Sequence, residues 1–454
     1  MSRPPAAADE AKRYGRAAGF LSVGVGATGI VTYVYFALAS HNLSRVDYGE
    51  IAVLWSTIFI IVSTLYRPVE QLLSRSIAER EAQDHTIGPA LRVAATIQLG
   101  LAAAFAIAAL ALRSPIQDDL LSGSETLYWI LLSAVLGYAA SYFARGFLAG
   151  SRRLILYAGL ILSESISRTL FAVAAVIGVT SGQSAIAMGI VAAPCLSLLV
   201  VPLAFARRAV VSDATRPRED PEFTLAHGGG FAAAVLVIMF SEQTFLNAGP
   251  LLVHASSGSA AAGFIFNVLM IARAPLQLFQ AVSTSLLPHL TGLRATGEER
   301  GEEAFRLSVR VTVTAITGFC GIVVAACLIA GPELMQLAFG DKFTYPRIDL
   351  VIVAVGMGLY LAAATLNQAA LAQGQVRRAS ICWIACAAGF VIWNLIPGIE
   401  EFRRVEVGFT AAAALLCGLL YLIYRVPHPR PEDVVEPGSP QELEARLAAA
   451  DEGT

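Results

Sequence analysis

Charged residues are scarce in this chain of 454 residues: Asp, Glu, Lys and Arg make up only 15% of it, whereas 56% is hydrophobic. Soluble domains carry about one quarter charged residues, so this composition excludes an ordinary soluble protein. Lysine is rarer still, because all but two of the 32 basic residues are arginine. The net charge of −2 gives no reason to expect a nucleic-acid partner.

The chain also offers little from which to build a disulfide framework, a metal centre or a catalytic dyad. Its six cysteines fall in apolar segments, with no CxxC pair and no histidine at metal-ligand spacing. Gly-x-Gly patterns such as Gly24 to Gly26 lie inside apolar segments, so they indicate no nucleotide-binding loop. We therefore expect no metal, no cofactor and no enzymatic activity.

Twelve apolar stretches of roughly 18 to 25 residues fill most of the chain, and a helix of that length spans a bilayer core. They begin near Ala17, Ile51, Ala90, Leu127, Leu156, Ala185, Gly229, Ala262, Val309, Leu350, Ser380 and Val405. The sequence thus predicts an all-α polytopic membrane protein with about 12 transmembrane helices.

The arginines predict the orientation of these helices. With the N-terminus inside, 24 Lys and Arg residues fall on cytoplasmic tails and loops, six on outer loops, and two, Arg168 and Arg273, inside spans. This asymmetry places both termini in the cytoplasm. The first stretch ends in Ala37-Leu38-Ala39, which is similar to a signal-peptide cleavage site, but it is too long and Gly-rich, so we expect the chain to keep it.

The longest polar connection between two stretches, residues 206–228, divides the chain into halves of six stretches each. The predicted parts are a cytoplasmic N-tail (1–16), an N-lobe (17–205), a cytoplasmic linker (206–228), a C-lobe (229–424) and a cytoplasmic C-tail (425–454). Short matches recur in the same order in both halves, as between Asp47-Tyr48-Gly49 and Ala261-Ala262-Gly263, which indicates duplication. Halves with an even number of helices share one orientation, so the expected pseudo-two-fold axis lies along the membrane normal.

Charged side chains inside spans mark candidate sites, because a charge at bilayer depth is costly unless it faces a cavity or a partner. Arg273 stands about ten residues from either end of its span, too far to snorkel easily. A guanidinium there suits an anionic substrate such as a phosphate group, while a structural pair with Glu242 or Glu164 is the alternative. The candidate substrate-binding residues are Arg273, Arg67, Arg145, Arg168, Asn267, Gln277 and Gln280.

Two carboxylates are candidate sites for a coupling ion, H⁺ or Na⁺. Glu242 and Glu164 both lie inside spans, where carboxylates of transporters often bind such ions. Glu164 precedes Arg168 by four residues, so the two should share a helical face and pair, either as a structural pair or at the wall of a cavity. Arg67 and Arg145 stand at inner ends of spans, where lipid phosphates approach, although the positive-inside rule also explains them.

Three segments carry a family resemblance. They are the Asp47-Tyr48-Gly49 turn, Arg145-Gly146-x-x-Ala149-Gly150 with the following Tyr157-Ala158-Gly159, and Phe279-Gln280-Ala281 to Leu286-Leu287-Pro288. With them, residues 14 to 425 resemble the Wzx-type polysaccharide exporters of bacteria, members of the multidrug/oligosaccharidyl-lipid/polysaccharide (MOP) flippase superfamily. The resemblance implies two six-helix lobes of the MATE-like kind around a cationic cavity, in the bacterial cytoplasmic membrane.

The resemblance further implies a function. Such proteins move polyprenyl-diphosphate-linked oligosaccharides between membrane leaflets by alternating access, for cell-surface polysaccharide or cell-wall assembly, beside glycan polymerases or synthases as candidate partners. Lipid II is disfavoured, because the first span has no arginine between Gly19 and Ser40. One alternative is a cation-coupled multidrug antiporter, which a buried Arg273 disfavours for cationic drugs. Another is a non-transporting scaffold, which would need no polar spans; the glycan, lipid length and coupling ion stay open.

Overall fold

The computed structural model describes the backbone of residues 5–83, 85–200, 202, 229–295 and 299–425. Side chains are described for residues 23–81, 83, 85–199, 202, 233–273 and 303–425. The predicted linker at 206–228 and the chain beyond Arg425 lie outside the described residues. The first helix begins at Pro5, so it includes most of the segment expected to be an N-tail.

The regular structure of the described residues is helical throughout. The helices are α1 (Pro5–Asn42), α2 (Arg45–Leu65), α3 (Arg67–Ala82), α4 (Gly88–Ala111), α5 (Glu125–Gly150), α6 (Leu154–Val176), α7 (Gln183–Ser197), α8 (Gly229–Ala295), α9 (Glu299–Phe339), α10 (Arg347–Ala372), α11 (Val376–Asn394) and α12 (Glu401–Arg425). Local sequence sets several of these limits: the Ser44 and Ser124 side chains cap α2 and α5 by accepting the backbone N–H groups of Asp47 and Leu127.

Ten helical segments in the described part of the chain are long and apolar enough to cross a membrane, against twelve predicted stretches. One difference is α7, which has 15 residues and falls below the length of a span. The other is α8, which covers two predicted stretches. It bends at Gly258, where φ is 82°, and folds back, because Arg273 after the bend reaches Asn247 before it. The predicted all-α polytopic membrane architecture is confirmed.

The helices of each half pack mainly on one another. In the first half α1 contacts α6, α6 contacts α7, and α5 contacts α3 and α7. In the second half α10 contacts α9, α8 and α12, while α11 contacts α8 and α12. Contact between the halves is made chiefly by α2 against α8, with a smaller contribution from α1.

The two halves meet closely at one end of the bundle, which we call the sealed end: the α1–α2 turn, the Gly258 bend and the loop 340–346. The backbones of Gly49 and Ser259 touch there, so any side chain at position 49 would collide. The rings of Phe36 and Phe266 pack at 4.7 Å between centroids. Toward the opposite end of the bundle, which we call the open end, α3 makes few contacts with α8 in the part of the chain that the structure describes.

Candidate functional site

A buried ion pair lies in the first half, between Arg145 of α5 and Glu164 of α6. Glu164 is 4% exposed and also accepts hydrogen bonds from the hydroxyls of Ser141 and, at 3.3 Å, Ser197. The guanidinium of Arg145 further stacks over the Tyr142 ring, 4.4 Å from its centroid. Glu164 is thus a neutralised and hydrogen-bonded carboxylate in this conformation.

The expected pair between Glu164 and Arg168 is wrong. Arg168 is 3% exposed and points toward α1 and α2, where it donates to the Thr32 hydroxyl at 3.1 Å. Its guanidinium carbon lies 4.3 Å from the ring centroid of Trp55, so aromatic faces rather than a carboxylate surround it. The two residues share a face of α6, but different helices pack on its two parts: α5 contacts Glu164, and α1 and α2 contact Arg168. The buried Nε of Arg168 has no hydrogen-bond partner among the described residues.

Arg67, at the start of α3, connects the two halves electrostatically. It lies within electrostatic range of Glu70 in its own half and of Glu242 of α8 in the other half. Glu70 in turn accepts a hydrogen bond of 2.9 Å from the Tyr157 hydroxyl and interacts with Arg145. Charged groups of both halves therefore form one cluster.

Arg273 joins this cluster from α8. It lies within electrostatic range of Tyr360, which also interacts with Glu242 and Arg67. Its side chain is 9% exposed, and its Nη1 donates a long hydrogen bond of 3.4 Å to Asn247. Nε and Nη2 of Arg273 are buried without a partner, and no ion pair with Glu242 or Glu164 forms among the described residues.

We call these residues the central cluster: Arg67, Glu70, Arg145, Glu164, Arg168, Glu242 and Arg273. Arg168 is included because Tyr138 interacts with it as well as with Arg145 and Glu164. Four guanidinium groups face three carboxylates, so cations are in excess when all are ionised. The geometry can hold an anion by N–H donation from arginine.

The other predicted site residues lie elsewhere. Asn267 is fully buried at the sealed end, where it accepts a hydrogen bond from the Tyr48 hydroxyl across the two halves. Contact of Asn267 with a substrate stays a prediction, because the side chain is not accessible in this conformation. The side chains of Gln277 and Gln280 lie outside those described.

Sequence reasoning missed two features of the structure. The first is Trp55, which stacks on Arg168. In the sequence it is one apolar residue among many in its span, and nothing near it indicates that it contacts a charged side chain. Glu406 is 1% exposed and bonded to Tyr345, yet it stands at the start of a predicted stretch, where a carboxylate is expected to reach water. Among the described residues, no group of three or more His, Cys, Asp or Glu side chains is placed to hold a metal ion.

No protein-family model matches the chain. An uncharacterized protein of Mycobacterium bovis (strain ATCC BAA-935 / AF2122/97) is 26% identical over 409 residues, which cover 87% of each chain. A second uncharacterized protein, from Mycobacterium tuberculosis (strain ATCC 25618 / H37Rv), is 26% identical over 389 residues, or 82% of this chain and 83% of the relative. These relatives carry no stated activity.

Solved structures identify the fold. A multidrug resistance MATE family transporter of the MOP superfamily in an inward-facing conformation superposes with a TM-score of 0.68 at 12% identity, covering 87% of this chain and 94% of the other. The outward-facing conformation of such a transporter gives 0.64 at 14% identity over 91% and 95%. A eukaryotic MATE transporter gives 0.63 at 14% identity over 96% and 99%. The chain is a multi-pass membrane protein with the fold of MATE transporters.

Proposed function

We propose that this protein is a flippase that carries a polyprenyl-diphosphate-linked oligosaccharide across the bacterial cytoplasmic membrane by alternating access. The observation that carries the proposal is Arg273, a buried guanidinium with two unpartnered nitrogens, Nε and Nη2, and no carboxylate within ion-pair distance in the described residues. Such a group is costly in an apolar protein interior unless an anion approaches it. A diphosphate supplies the oxygens that a guanidinium binds best.

The remaining arginines extend the same chemistry along the bundle. Arg67 lies on the side of the open end, where a substrate headgroup would first meet the central cluster. Arg168 lies nearer the sealed end, among Thr32 and the ring of Trp55, and holds no ion pair among the described residues. A diphosphate moving between leaflets would thus find cationic donors at successive depths, while its polyprenyl tail stays in lipid.

Transport requires that the two halves separate and rejoin. The close contact of the two halves at the sealed end supports an arrangement in which the cluster is reached from the open end. The arginine asymmetry of the sequence predicts that this end, and both termini, lie in the cytoplasm. We therefore propose that the conformation described here is the one that receives substrate from the cytoplasmic leaflet.

A cation-coupled multidrug antiporter is the second candidate. The solved MATE structures favour it through their fold. Glu242 lies within electrostatic range of Arg67 but forms no ion pair among the described residues, so it is a carboxylate that could exchange a cation for a drug. The two functions differ in the charge that the central cluster must accept. A flippase needs its arginines free for phosphate, whereas an antiporter for cationic drugs needs its carboxylates free.

The test is transfer of a fluorescent polyprenyl-diphosphate oligosaccharide to the protected leaflet of proteoliposomes. We compare the parent protein with Arg273→Ala and Arg273→Lys at matched incorporation. Charge-assisted hydrogen bonds contribute about 1.5–3 kcal/mol each, so the Ala variant should lose roughly ten- to hundredfold in transfer rate. Arg273→Lys should retain part of the transfer rate, because lysine keeps the positive charge but lacks the planar set of N–H donors of the guanidinium. Arg377→Ala, at an exposed position of α11, is the matched control.

Three outcomes separate the hypotheses. Loss in Arg273→Ala with a normal Arg377→Ala supports the flippase and its phosphate-binding cation. Equal transfer by all variants keeps the flippase but removes the role of Arg273. Absence of transfer in the folded parent protein, together with gradient-driven efflux of a cationic dye, establishes the antiporter instead.

A further inference from the structure

Glu406, in the second turn of α12 at the sealed end, differs from Glu164, the other buried carboxylate of the described residues. It is 1% exposed, and its Oε1 accepts a hydrogen bond from the Tyr345 hydroxyl. Its Oε2 is equally buried and has no hydrogen-bond donor among the described residues. Glu164, by contrast, has an arginine and two serine hydroxyls. Glu406 is therefore a carboxyl group whose charge, if present, is left largely uncompensated.

The charged groups around Glu406 do not neutralise it. The titratable groups that act on it are Tyr345, Asp349, Glu400 and Arg403. Two of these are carboxylates of the same sign. The cation, Arg403, is 60% exposed and makes its ion-pair contact, at 3.8 Å, with Asp349 instead. An exposed, distant cation of this kind contributes little.

None of the neighbouring donors among the described residues, apart from the Tyr345 hydroxyl, makes a hydrogen bond to Glu406. The buried Arg404 directs its Nη1 to the backbone carbonyl of Ile396 at 2.9 Å. Burial first, and the nearby Glu406 carboxylate second, raise the pKa of the Tyr345 phenol, so Tyr345 stays a neutral donor. The Oδ1 atom of Asp349 is also buried and accepts no hydrogen bond among the described residues; its ion-pair contact is the long one, 3.8 Å, with the exposed Arg403. Glu406 and Asp349, which lie within electrostatic range of each other, thus each have a buried carboxyl oxygen that accepts no hydrogen bond among the described residues.

We propose that Glu406 binds a proton in the sealed conformation, with Asp349 as the neighbouring acceptor. The proton comes from water at the sealed end and occupies Oε2, which removes the buried charge and turns an acceptor into a donor. The nearby Asp349 carboxylate favours this proton further, because a neighbouring charge of the same sign disfavours the ionised form of Glu406.

The site is linked to the contact between the halves through the loop 340–346. Tyr345 belongs to this loop, and two residues earlier Phe343 packs on Tyr48 of α2 at 5.2 Å between ring centroids. Lys342 donates to the backbone carbonyl of Leu43 at 2.8 Å, across the two halves. With the proton bound the loop stays anchored, so the sealed end is stable at low pH. As pH rises the proton leaves, the carboxylates repel, and the loop should loosen.

This coupling to opening rests on the proposed transport function, whereas proton binding does not. The first measurement is therefore independent of any substrate: infrared difference spectra of the full chain in nanodiscs, recorded across a pH series. We expect a protonated-carboxyl band that disappears as pH rises and is missing in Glu406→Gln. Glu401→Gln, at the start of the same helix, is the control and should keep the band.

The second measurement is hydrogen exchange of residues 340–346, compared between variants at the same pH so that intrinsic exchange cancels. At low pH the parent protein and Glu406→Gln should exchange alike; at high pH the parent should exchange at least several-fold faster, because Gln mimics the protonated acid. Glu401→Gln should follow the parent at both pH values.

Several results would overturn the proposal. A band that persists in Glu406→Gln assigns the proton to another group. If sodium slows the hydrogen exchange of residues 340–346 at constant pH and no protonated-carboxyl band is seen, the site binds a metal cation and not a proton. If Glu406→Gln does not fold, the pH series on the parent protein and on Asp349→Asn decides, since the absence of any pH-dependent band in both contradicts proton binding. If lipid transfer is normal but no pH-dependent carboxyl band is found, the proposed flippase function is retained and the proton site at Glu406 is rejected.

Discussion

Gly263 of α8 lies against Gly49 of α2: a Cβ on Gly263 would come within 3.1 Å of the Gly49 Cα atom. The same two glycines close the matched segments Asp47-Tyr48-Gly49 and Ala261-Ala262-Gly263 of the two halves. Corresponding residues of a duplicated chain meet in this way when the symmetry axis passes between them. The absence of side chains lets the two helix backbones come into direct contact, which is how small residues hold membrane helices together.

Substitution of Gly49 tests this contact. A Cβ at position 49 would collide with the Ser259 backbone, so Gly49→Ala must push α2 and α8 apart and should cost about 1–3 kcal/mol of stability. Thermal unfolding in detergent, followed by circular dichroism, should show a lower Tm. Gly100→Ala, where a Cβ meets no atom within 4 Å, is the control and should leave Tm unchanged or slightly higher. An unchanged Tm in Gly49→Ala would contradict the close approach.

Tyr48 and Asn267 make the polar contact beside the glycines. Tyr48→Phe removes the donor and leaves Asn267 fully buried with neither its Oδ1 nor its Nδ2 bonded within the described residues. An unsatisfied buried group costs about 1–3 kcal/mol, and the loss should fall on the sealed conformation. Faster hydrogen exchange of residues 254–264 measures it. Tyr421→Phe, at a half-exposed position of α12, should exchange like the parent; identical behaviour of both variants would show that the bond adds nothing.

The pair of Arg145 and Glu164 should behave as a structural unit. Removing one member leaves a buried charge, so Arg145→Gln or Glu164→Gln alone should lose about 3–5 kcal/mol of unfolding free energy. The double variant should recover part of this loss. A double-mutant cycle of unfolding in a denaturing detergent series gives the coupling energy. Additive losses would mean that the two side chains act separately, and Glu164 would return as a free coupling-ion candidate.

Arg168 allows a test of donor geometry apart from charge. Arg168→Lys keeps a cation between α1, α2 and α6 but loses the flat guanidinium that stacks on Trp55 and bonds Thr32. If Arg168 takes part in diphosphate transfer, the Lys variant should transport at least several-fold more slowly while remaining folded. Arg113→Lys, an exposed arginine that stacks on Tyr128, is the matched control and should transport normally. Equal rates would assign Arg168 to packing alone.

Most of the helices could be predicted from sequence, because a long apolar run in a chain with so little charge has few other structures open to it. The lengths and ends of the individual helices were harder to predict than their existence. The run at α7 gives a helix of only 15 residues, and the two runs of α8 are joined at Gly258 with almost no loop. Apolar periodicity carries no signal for either feature, since both depend on how the chain turns at the end of the bundle.

The site was harder to predict for a physical reason. Spacing identified Glu164 and Arg168 as residues of one helical face, but the partner of a buried charge is decided by the helix that comes nearest. Here α5 brings Arg145 to Glu164, while α2 brings Trp55 to Arg168. The convergence of Arg67, Glu242 and Arg273 likewise depends on the meeting of two halves. The sequence identifies which charged residues lie inside membrane spans, but only the packing of the helices determines which partner each of them finds.

The position of Trp55 beneath the Arg168 guanidinium has an optical consequence. Only four tryptophans occur in the chain. Trp383 packs on Tyr360 at 5.9 Å between ring centroids, whereas Trp55 is the one that stacks on an arginine of the central cluster among the described residues. Indole emission responds to a charge a few ångströms above the ring. An anion that draws Arg168 away from Trp55 would therefore change the fluorescence of the protein itself, so that arrival of the diphosphate at this depth could be timed in unlabelled protein by stopped flow.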